Sequence, residues 1–316
     1  MDIDMFCEKR ILVIGDVMLD KSIWGNVARI SPEAPVQVVD VTRESYAPGG
    51  AANVANNIAA LGGEVYVCGI VGDDAAKDVL LAEFGKRGIS TEGILVDKGR
   101  PTIQKVRIMG HSQQLLRVDY EDRNQIGAKV EARMLEIIRK IIAKVDCIVV
   151  SDYAKGLVTA GIMDAIRKAG GLPVIVDPKP LNAEYYRGVT LITPNQKEAF
   201  EMHGQRETHI DAVGKGLVRK LSSNVLITRG EQGMSLYCLD GSRLHIPTRA
   251  KEVYDVTGAG DTAIGTLSLA IASGASFSEA ATLANAAAGL TVGKVGASVV
   301  TADELKREIE DEGSPD

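Results

Sequence analysis

A glycine-rich turn with an acid at its end, residues 255–261, is the segment best suited to chemistry. Three small residues leave its backbone bare, so that N–H groups can close around an anion: Gly258, Ala259 and Gly260. The apolar run 262–273 that follows predicts a helix, whose N-terminus favours negative charge. A carboxylate there would repel a phosphate, which makes sense if Asp261 accepts the proton of an attacking hydroxyl. The segment therefore predicts phosphoryl transfer to an alcohol.

Two look-alike motifs and one structural alternative compete with this interpretation. Residues 258–263 nearly fit the dinucleotide-binding fingerprint, but the preceding residues 251–255 do not form a buried strand. Residues 289–294 are one residue short of a P-loop and lack the Ser or Thr after the lysine. Both motifs are rejected. The remaining alternative is an ordinary glycine-rich turn with Asp261 near a helix start.

Two further segments carry groups that suit a sugar. Gly49 and Gly50 permit close backbone approach to a ligand, and Asn53 offers a donor and an acceptor to hydroxyls. Asp16 and Asp20 follow the first predicted strand, at the sheet edge where ligands of open α/β folds bind. The structural alternatives are a helix start after paired glycines and turn-forming aspartates.

A candidate metal site lies at residues 193–198, which follow a predicted strand and open a helix. Asn195 and Glu198 are three positions apart and can share one side of the first helical turn. Because Mg²⁺ keeps several waters and takes few protein ligands, this pair could hold the hydrated ion beside a triphosphate. A capping box, with Asn195 as N-cap and Glu198 at the third position, is the structural alternative. The two interpretations are compatible.

The predicted strands and helices that would position these residues indicate an α/β fold. Short apolar strands alternate with helices from about residue 127, which predicts a doubly wound, mostly parallel sheet covered on both faces. Strand-like segments at about 23–46 and 101–120 interrupt that rhythm and predict a small β-sheet lid. Residues 1–316 are expected to form a single domain that includes this lid.

Composition excludes several classes of function. The 316 residues are 45% hydrophobic and carry a net charge of −6, which argues against nucleic acid or an anionic membrane as the main partner. Cys7, Cys68, Cys147 and Cys238 lie far apart without metal-binding spacing, which predicts reduced thiols and a cytoplasmic protein. No signal pattern or bilayer-spanning apolar run is present.

Taken in order along the chain, these motifs resemble the ribokinase-like (PfkB) family of carbohydrate kinases. The resemblance covers essentially the whole sequence and is most specific at residues 255–261. It implies an ATP- and Mg²⁺-dependent sugar kinase with a doubly wound α/β body and a small β-sheet lid, through which such proteins often form homodimers. Asp261 would be the catalytic base.

A narrower resemblance links residues 113–119, 151–156, 177–179, 228–234 and 292–298 to the heptose 7-phosphate kinases of ADP-heptose synthesis. It implies phosphorylation of O1 of D-glycero-D-manno-heptose 7-phosphate. In many such proteins the kinase is fused to a nucleotidyltransferase, so a chain of 316 residues is expected to be a stand-alone kinase served by a separate nucleotidyltransferase. The alternatives are a kinase for another sugar, sugar phosphate or nucleoside, and a non-catalytic sugar- or nucleotide-binding regulator. The intact residues 258–261 argue against the regulator.

The resemblance also implies further site residues. For the substrate and its phosphate they are Gln114, Arg117, Asp152, Lys155 and Lys179, each cation having solvated surface charge as its alternative. For ATP they are Asn195, Thr228, Gly230, Gly233, Thr257 and Asn285. A monovalent cation, with K⁺ as the candidate, would bind around Asp255, Gly296 and Ser298.

Overall fold

Two β-sheets make up the frame of the computed structural model, which describes residues 2–111, 113–204, 209–249, 255–294 and 298–313. The strands in these ranges are β1 (Arg10–Gly15), β2 (Val17–Ile30), β3 (Gln37–Gly50), β4 (Glu64–Val71), β5 (Ser90–Val96), β6 (Ile103–Gly110), β7 (Gln113–Tyr120), β8 (Cys147–Ser151), β9 (Val174–Asp177), β10 (Leu191–Ile192), β11 (Asn224–Thr228), β12 (Met234–Tyr237) and β13 (Arg243–Ile246).

The larger sheet has nine strands in the order β13-β12-β11-β10-β9-β8-β1-β4-β5. The seven strands from β11 to β5 pair in parallel, while β12 is antiparallel to both of its neighbours. The predicted doubly wound, mostly parallel sheet is confirmed. Because parallel strands end at the same edge, the residues after β1, β8, β9 and β11 lie along one rim.

Helices cover both faces of this sheet. They are α1 (Ala51–Ala60), α2 (Ala75–Lys86), α3 (Ala128–Ile142), α4 (Ala160–Ala169), α5 (Gln196–His203), α6 (Ile210–Leu221), α7 (Ala259–Ala272), α8 (Phe277–Val292) and α9 (Ala302–Gly313). Successive β1 side chains alternate between two buried apolar clusters. Ile11 and Val13 join α1, α7 and α8, whereas Leu12 and Ile14 join α3 and α4. Burial on both faces explains why the strand reads as a continuous apolar run.

The smaller sheet has the order β3-β2-β6-β7 and is the predicted lid. Its first two strands are each 14 residues long and extend beyond both ends of the predicted segment 23–46, towards the larger sheet. The inner ends were missed because Val17, Met18 and Leu19 are buried, so polar and apolar residues do not alternate there. β2 therefore leads directly from the body into the lid, and β3 returns to the body at Gly50.

Helix α7 begins earlier than the sequence predicted. α7 starts at Ala259, three residues before the expected start, with Gly258 as its N-cap at φ 85°. Only glycine adopts that backbone readily, and its two small successors suit the tight entry. Asp261 consequently lies within the first turn of the helix. No helix in the described ranges is long and apolar enough to cross a membrane.

Candidate active site

The Asp261 carboxylate is held by one hydrogen bond to each oxygen. Asn53 Nδ2 on α1 donates to Oδ2 over 2.7 Å, and the Tyr153 hydroxyl, after β8, donates to Oδ1 over 3.1 Å. Burial raises the pKa of Asp261 to about 6, although both hydrogen bonds lower it. A fixed carboxylate with a pKa just below neutrality is suited to accept a proton at physiological pH.

The turn before Asp261 leaves an open space beside that carboxylate. A Cβ atom added to Gly258 would come within 3.2 Å of Asn53 Nδ2, whereas one added to Gly260 would meet nothing within 4 Å. A side chain on Gly260 would therefore project into empty space. Gly258 and Gly260 both line a cavity of about 180 Å³ that Asp261 also faces. The predicted anion-binding turn therefore lines this cavity.

Asp16 supports the loop that carries Tyr153. Its Oδ2 accepts N–H bonds from Tyr153 and Lys155, both 3.0 Å long, and its Oδ1 accepts one of 3.3 Å from Leu157. Burial raises the pKa of Asp16 to about 6 against the effect of these donors. Three backbone donors already occupy the carboxylate that the sequence assigned to sugar hydroxyls. The sugar role of Asp16 stays a prediction, but its structural role is visible.

Asp20 lies at the base of the lid, next to the paired glycines. A Cβ on Gly49 would come within 2.4 Å of Asp20 Oδ2, and one on Gly50 would come equally close to the Asp16 carbonyl. Gly50 also has φ 58°, which favours glycine. Asp20 Oδ1 pairs with Arg107 on β6, a residue that the sequence analysis did not single out.

Asp152 stabilises the segment that follows β8 through hydrogen bonds. This fully buried carboxylate accepts hydrogen bonds from the Tyr186 hydroxyl, Asn182 Nδ2 and the Ala154 N–H, at 2.5, 2.7 and 2.6 Å. With three internal donors, it shapes the turn that presents Tyr153. Lys155 Nζ pairs with Glu121 over 2.7 Å, both side chains being largely buried.

Gln114 and Arg117 lie on β7, the outer strand of the lid, and both are exposed. Arg117 forms two 2.9 Å hydrogen bonds with Asp119. It lies directly opposite Arg107 in the β6–β7 register, so the two guanidinium groups share one face of the lid. Asp20 lies on that face, and its charge adds to the rise in the pKa of Asp261, so this face is turned towards the Asp261 carboxylate.

Asn195 and Glu198 form the capping box at the start of α5. Asn195 Oδ1 accepts from the Glu198 N–H over 2.9 Å, and Glu198 Oε2 accepts from the Asn195 N–H over 3.0 Å. The other Glu198 oxygen pairs with Lys179 Nζ. Both carboxylate oxygens are engaged, so the pair could reach a metal ion through water molecules without giving up the cap.

The charges around this box fit a hydrated cation. Asp177, Glu198 and Asp261 line the 180 Å³ cavity together with Lys179. Burial raises the pKa of Asp177 well above its usual range, and the charge of Asp261 adds to the effect. Such crowding of carboxylates calls for positive charge. Among the described residues no group of three or more His, Cys, Asp or Glu is arranged to hold a metal alone.

A second, more apolar cavity of about 540 Å³ adjoins the first and suits a nucleotide base. Four of the predicted ATP residues line it: Thr228, Gly230, Gly233 and Asn285. Asn285 Nδ2 donates to the Pro247 carbonyl over 2.8 Å, which fixes the amide. Thr228 and Gly260 line both cavities, so the two spaces meet at the anion cradle.

The remaining predicted residues lie around the start of this cradle. The Thr257 N–H donates to the Asp255 carboxylate over 2.8 Å, which closes a turn before the helix. Ser298 lies in a described segment, whereas Gly296 lies outside the described residues. The K⁺ site stays a prediction.

Sequence reasoning missed four residues that the structure brings to Asp261 or its supports. Tyr153 and Asp177 lay in motifs that the sequence analysis singled out but received no role, and Arg107 lay in a predicted strand.

The fourth missed residue is the buried Asn57, which extends the contact made by α1. Its Nδ2 donates to the Asn53 carbonyl over 2.9 Å. Its Oδ1 accepts from the Thr262 hydroxyl over 2.8 Å, and Thr291 reaches Thr262 over 3.1 Å. The signal for Asn57 was its four-residue spacing from Asn53.

Comparison with known proteins decides the family. Residues 8–304 match the model of the pfkB family carbohydrate kinases. The chain belongs to this family. The resemblance stated from its motifs is therefore confirmed, and the protein is a carbohydrate kinase.

Relatives of known sequence and structure agree with this assignment. The chain is 47% identical over 309 residues to bifunctional protein HldE of Geotalea uraniireducens, covering 96% of this chain but 63% of that relative. It therefore spans less than two thirds of that longer protein. Arabidopsis thaliana ribokinase, solved with ribose and ATP, superposes with a TM-score of 0.75 at 21% identity, covering 96% of this chain and 99% of that one. Escherichia coli phosphofructokinase-2, solved with potassium, gives a TM-score of 0.77 at 18% identity, covering 97% and 100%. These two likenesses confirm the ribokinase-like fold.

Proposed function

We propose that this carbohydrate kinase transfers the terminal phosphate of ATP to O1 of D-glycero-D-manno-heptose 7-phosphate, giving the 1,7-bisphosphate. The observation that carries the reaction type is the Asp261 carboxylate, fixed by Asn53 and Tyr153 beside an open glycine cradle. The similarity to bifunctional protein HldE, together with the motifs shared with heptose 7-phosphate kinases, supports the choice of sugar.

In this reaction Asp261 accepts the proton of the sugar hydroxyl as the oxygen–phosphorus bond forms. The backbone N–H groups of Gly258, Ala259 and Gly260 stabilise the negative charge on the transferring group, as donors of an oxyanion hole do. A positioned base is typically worth about 10²–10⁴ in rate. Asn53 orients the base, because its amide contacts Asp261 from the helix that directly follows Gly49 and Gly50.

The nucleotide side of the site consists of the larger cavity and the capping box. Thr228, Gly230, Gly233 and Asn285 hold the base and ribose, and Asn195 with Glu198 orients the waters of Mg²⁺. When bound, Mg²⁺ neutralises phosphate charge during transfer. The crowded carboxylates of this cavity support its presence.

The lid face that carries Asp20 supplies cations for the phosphate already on the sugar. Arg117 and Arg107 lie opposite each other there, and arginine binds phosphate oxygens in a bidentate manner. Each now contacts a carboxylate, which a dianionic ligand could replace. Lys155, behind the Tyr153 turn, is the third candidate. Gln114 stays a candidate for a sugar hydroxyl.

The outer face of the lid supports a homodimer. Exposed apolar side chains cluster on the small sheet and its β2–β3 loop, namely Ile30, Val36, Val41, Tyr46, Leu115, Leu116 and Tyr120. Apolar patches of this kind mark interaction surfaces. We expect two copies to pair through this face, and a nucleotidyltransferase to act on the bisphosphate product.

The substrate assignment is tested by measuring ADP release from ATP with a panel of acceptors. The panel holds the heptose 7-phosphate, the unphosphorylated heptose, fructose 6-phosphate, ribose and adenosine. The heptose 7-phosphate should give the highest kcat/KM by at least tenfold. A higher value for another acceptor would reassign the substrate, and sugar-stimulated turnover with none of them would contradict the proposed activity.

A further inference from the structure

Lys179 occupies an unexpected place for a ligand of the sugar's phosphate. It follows β9, and its ammonium group pairs with Glu198, the residue of the capping box. The same ammonium lies 5.4 Å from the centre of the Tyr153 ring, whose hydroxyl bonds to Asp261. Lys179 therefore lies between the candidate metal site and the catalytic base.

The surroundings of this ammonium are those of the transferring phosphate. The 180 Å³ cavity is lined by Lys179 together with Gly258, Gly260, Asn195 and Thr228. Lys179 is the one lysine or arginine among the described residues that line it. Arg107 and Arg117 lie instead on the lid face. The cations of the site are thus divided between two regions, the cavity and the lid.

We propose that Lys179 binds the terminal phosphate of ATP, not the phosphate of the sugar, and that Glu198 holds it in place until the nucleotide arrives. This inference rests on the proposed use of ATP but not on the identity of the sugar. Lys179 is 30% exposed, so its flexible side chain has room to turn from Glu198 into the cavity. The Glu198 carboxylate that it leaves is then free to orient the waters of a divalent cation.

The charge balance of the reaction favours this role. The acceptor oxygen forms a bond to phosphorus as the bond from phosphorus to the ADP oxygen breaks, and the hydroxyl proton moves to Asp261. The charge of the transferring group then lies between a base and two further carboxylates, Asp177 and Glu198. Lys179 is the one lysine or arginine among the described residues that line this cavity, so its charge would stabilise the transfer whatever the acceptor.

The test compares nucleotides in the absence of any sugar. Dissociation constants for ADP and for a non-hydrolysable ATP analogue, each with Mg²⁺, are measured by calorimetry on the wild type and Lys179→Met. The variant keeps the side-chain length but removes the charge. Its preference for the analogue over ADP should fall at least tenfold. Lys144→Met, which removes another lysine paired with a glutamate, is the matched control and should keep the wild-type preference.

A second measurement separates this role from sugar-phosphate binding. In Lys179→Met, kcat should fall by the same factor with a phosphorylated sugar and with its unphosphorylated counterpart. An unchanged nucleotide preference, or a loss confined to phosphorylated sugars, would overturn the inference. Since Lys179→Met leaves Glu198 without its cation, the double variant Lys179→Met/Glu198→Gln repeats the binding test with that charge removed. Failure of the wild type to bind the analogue would instead contradict the use of ATP.

Discussion

Asn53 Nδ2 and Asp261 Oδ2, 208 positions apart in the sequence, are joined by a 2.7 Å hydrogen bond. The contact links α1, which follows Gly49 and Gly50, to the first turn of α7, which carries Asp261. In the proposed reaction, binding of the sugar and removal of its proton would thereby be tied to one amide group. A carboxylate that is already positioned would lower the cost of orientation during the reaction.

Removing the Asn53 amide should weaken the base in a measurable way. Its hydrogen bond lowers the pKa of Asp261, so Asn53→Leu should move the acidic limb of the kcat/KM profile to higher pH. A lost hydrogen bond to a charged group costs about 1.5–3 kcal/mol, so kcat should also fall by about tenfold or more. Asn56→Leu, elsewhere on α1, is the control. An unshifted profile in Asn53→Leu would show that the contact does not act on the base.

The Tyr153 hydroxyl should contribute less than Asn53, because its hydrogen bond is 3.1 Å long. Tyr153→Phe keeps the ring beside Lys179 and removes only the donor. We expect kcat to fall by several-fold, about 1 kcal/mol, with KM for ATP unchanged. Tyr185→Phe is the control, since that hydroxyl makes only an exposed 3.5 Å contact with Gln125. A rise in KM with constant kcat would assign Tyr153 to binding instead.

The buried chain of Asn57, Thr262 and Thr291 should stabilise the packing of α1, α7 and α8. Thr262→Val leaves Asn57 Oδ1 without its donor in a fully buried site, which should cost about 1–3 kcal/mol in the free energy of unfolding. Urea denaturation provides the measurement. Thr282→Val, which removes an exposed hydroxyl from α8, is the matched control and should change stability by less than about 0.5 kcal/mol. Equal effects of the two substitutions would mean that the buried hydrogen bonds of Asn57, Thr262 and Thr291 make no specific contribution to stability.

The raised pKa of Asp261 predicts a pH-dependent cost to stability. Its native pKa is about 6, whereas an unfolded aspartate titrates near 4, so the native state binds the proton more tightly. The cost is absent below the unfolded pKa and complete above the native one, where it is about 3 kcal/mol. The free energy of unfolding of Asp261→Asn should therefore exceed that of the wild type by about 1 kcal/mol more at pH 8 than at pH 5.

Urea midpoints at the two pH values check this difference. Asp211→Asn is a useful contrast, because the Tyr237 hydroxyl lowers the pKa of Asp211, so the contribution of its charge is already present at pH 5 and the effect of the substitution should be nearly equal at the two pH values. An Asp261→Asn gain that is larger at pH 5 would contradict the raised pKa.

The outer lid face should control assembly. Leu116 is 57% exposed on β7, so Leu116→Lys should leave the monomer folded while placing charge in the proposed interface. Light scattering after gel filtration should show a dimer for the wild type and a monomer for the variant. Leu181→Lys, at an exposed site in the body of the protein, should remain dimeric. A monomeric wild type would exclude the lid dimer.

The sequence predicted individual residues better than their contacts. Asp261, Asn53 and Glu198 were each found from local motifs, because glycine turns and helix starts have short-range signatures. The Asn53–Asp261 contact depends on how α1 packs against α7, which no local pattern records. Likewise, Lys179 was assigned to the sugar's phosphate from resemblance, but only the fold brings it to Glu198. The inner end of β2 was missed because burial on both faces removes the alternation that marks a strand.

The most direct test of the central claim is identification of the product by phosphorus and proton NMR. Wild-type protein incubated with Mg²⁺, ATP and D-glycero-D-manno-heptose 7-phosphate should give a second phosphate ester whose phosphorus couples to the anomeric proton, with one ADP formed per ester. Asp261→Asn, folded by circular dichroism, should give none above background. A new ester on any other oxygen, or undiminished product from Asp261→Asn, would contradict the account.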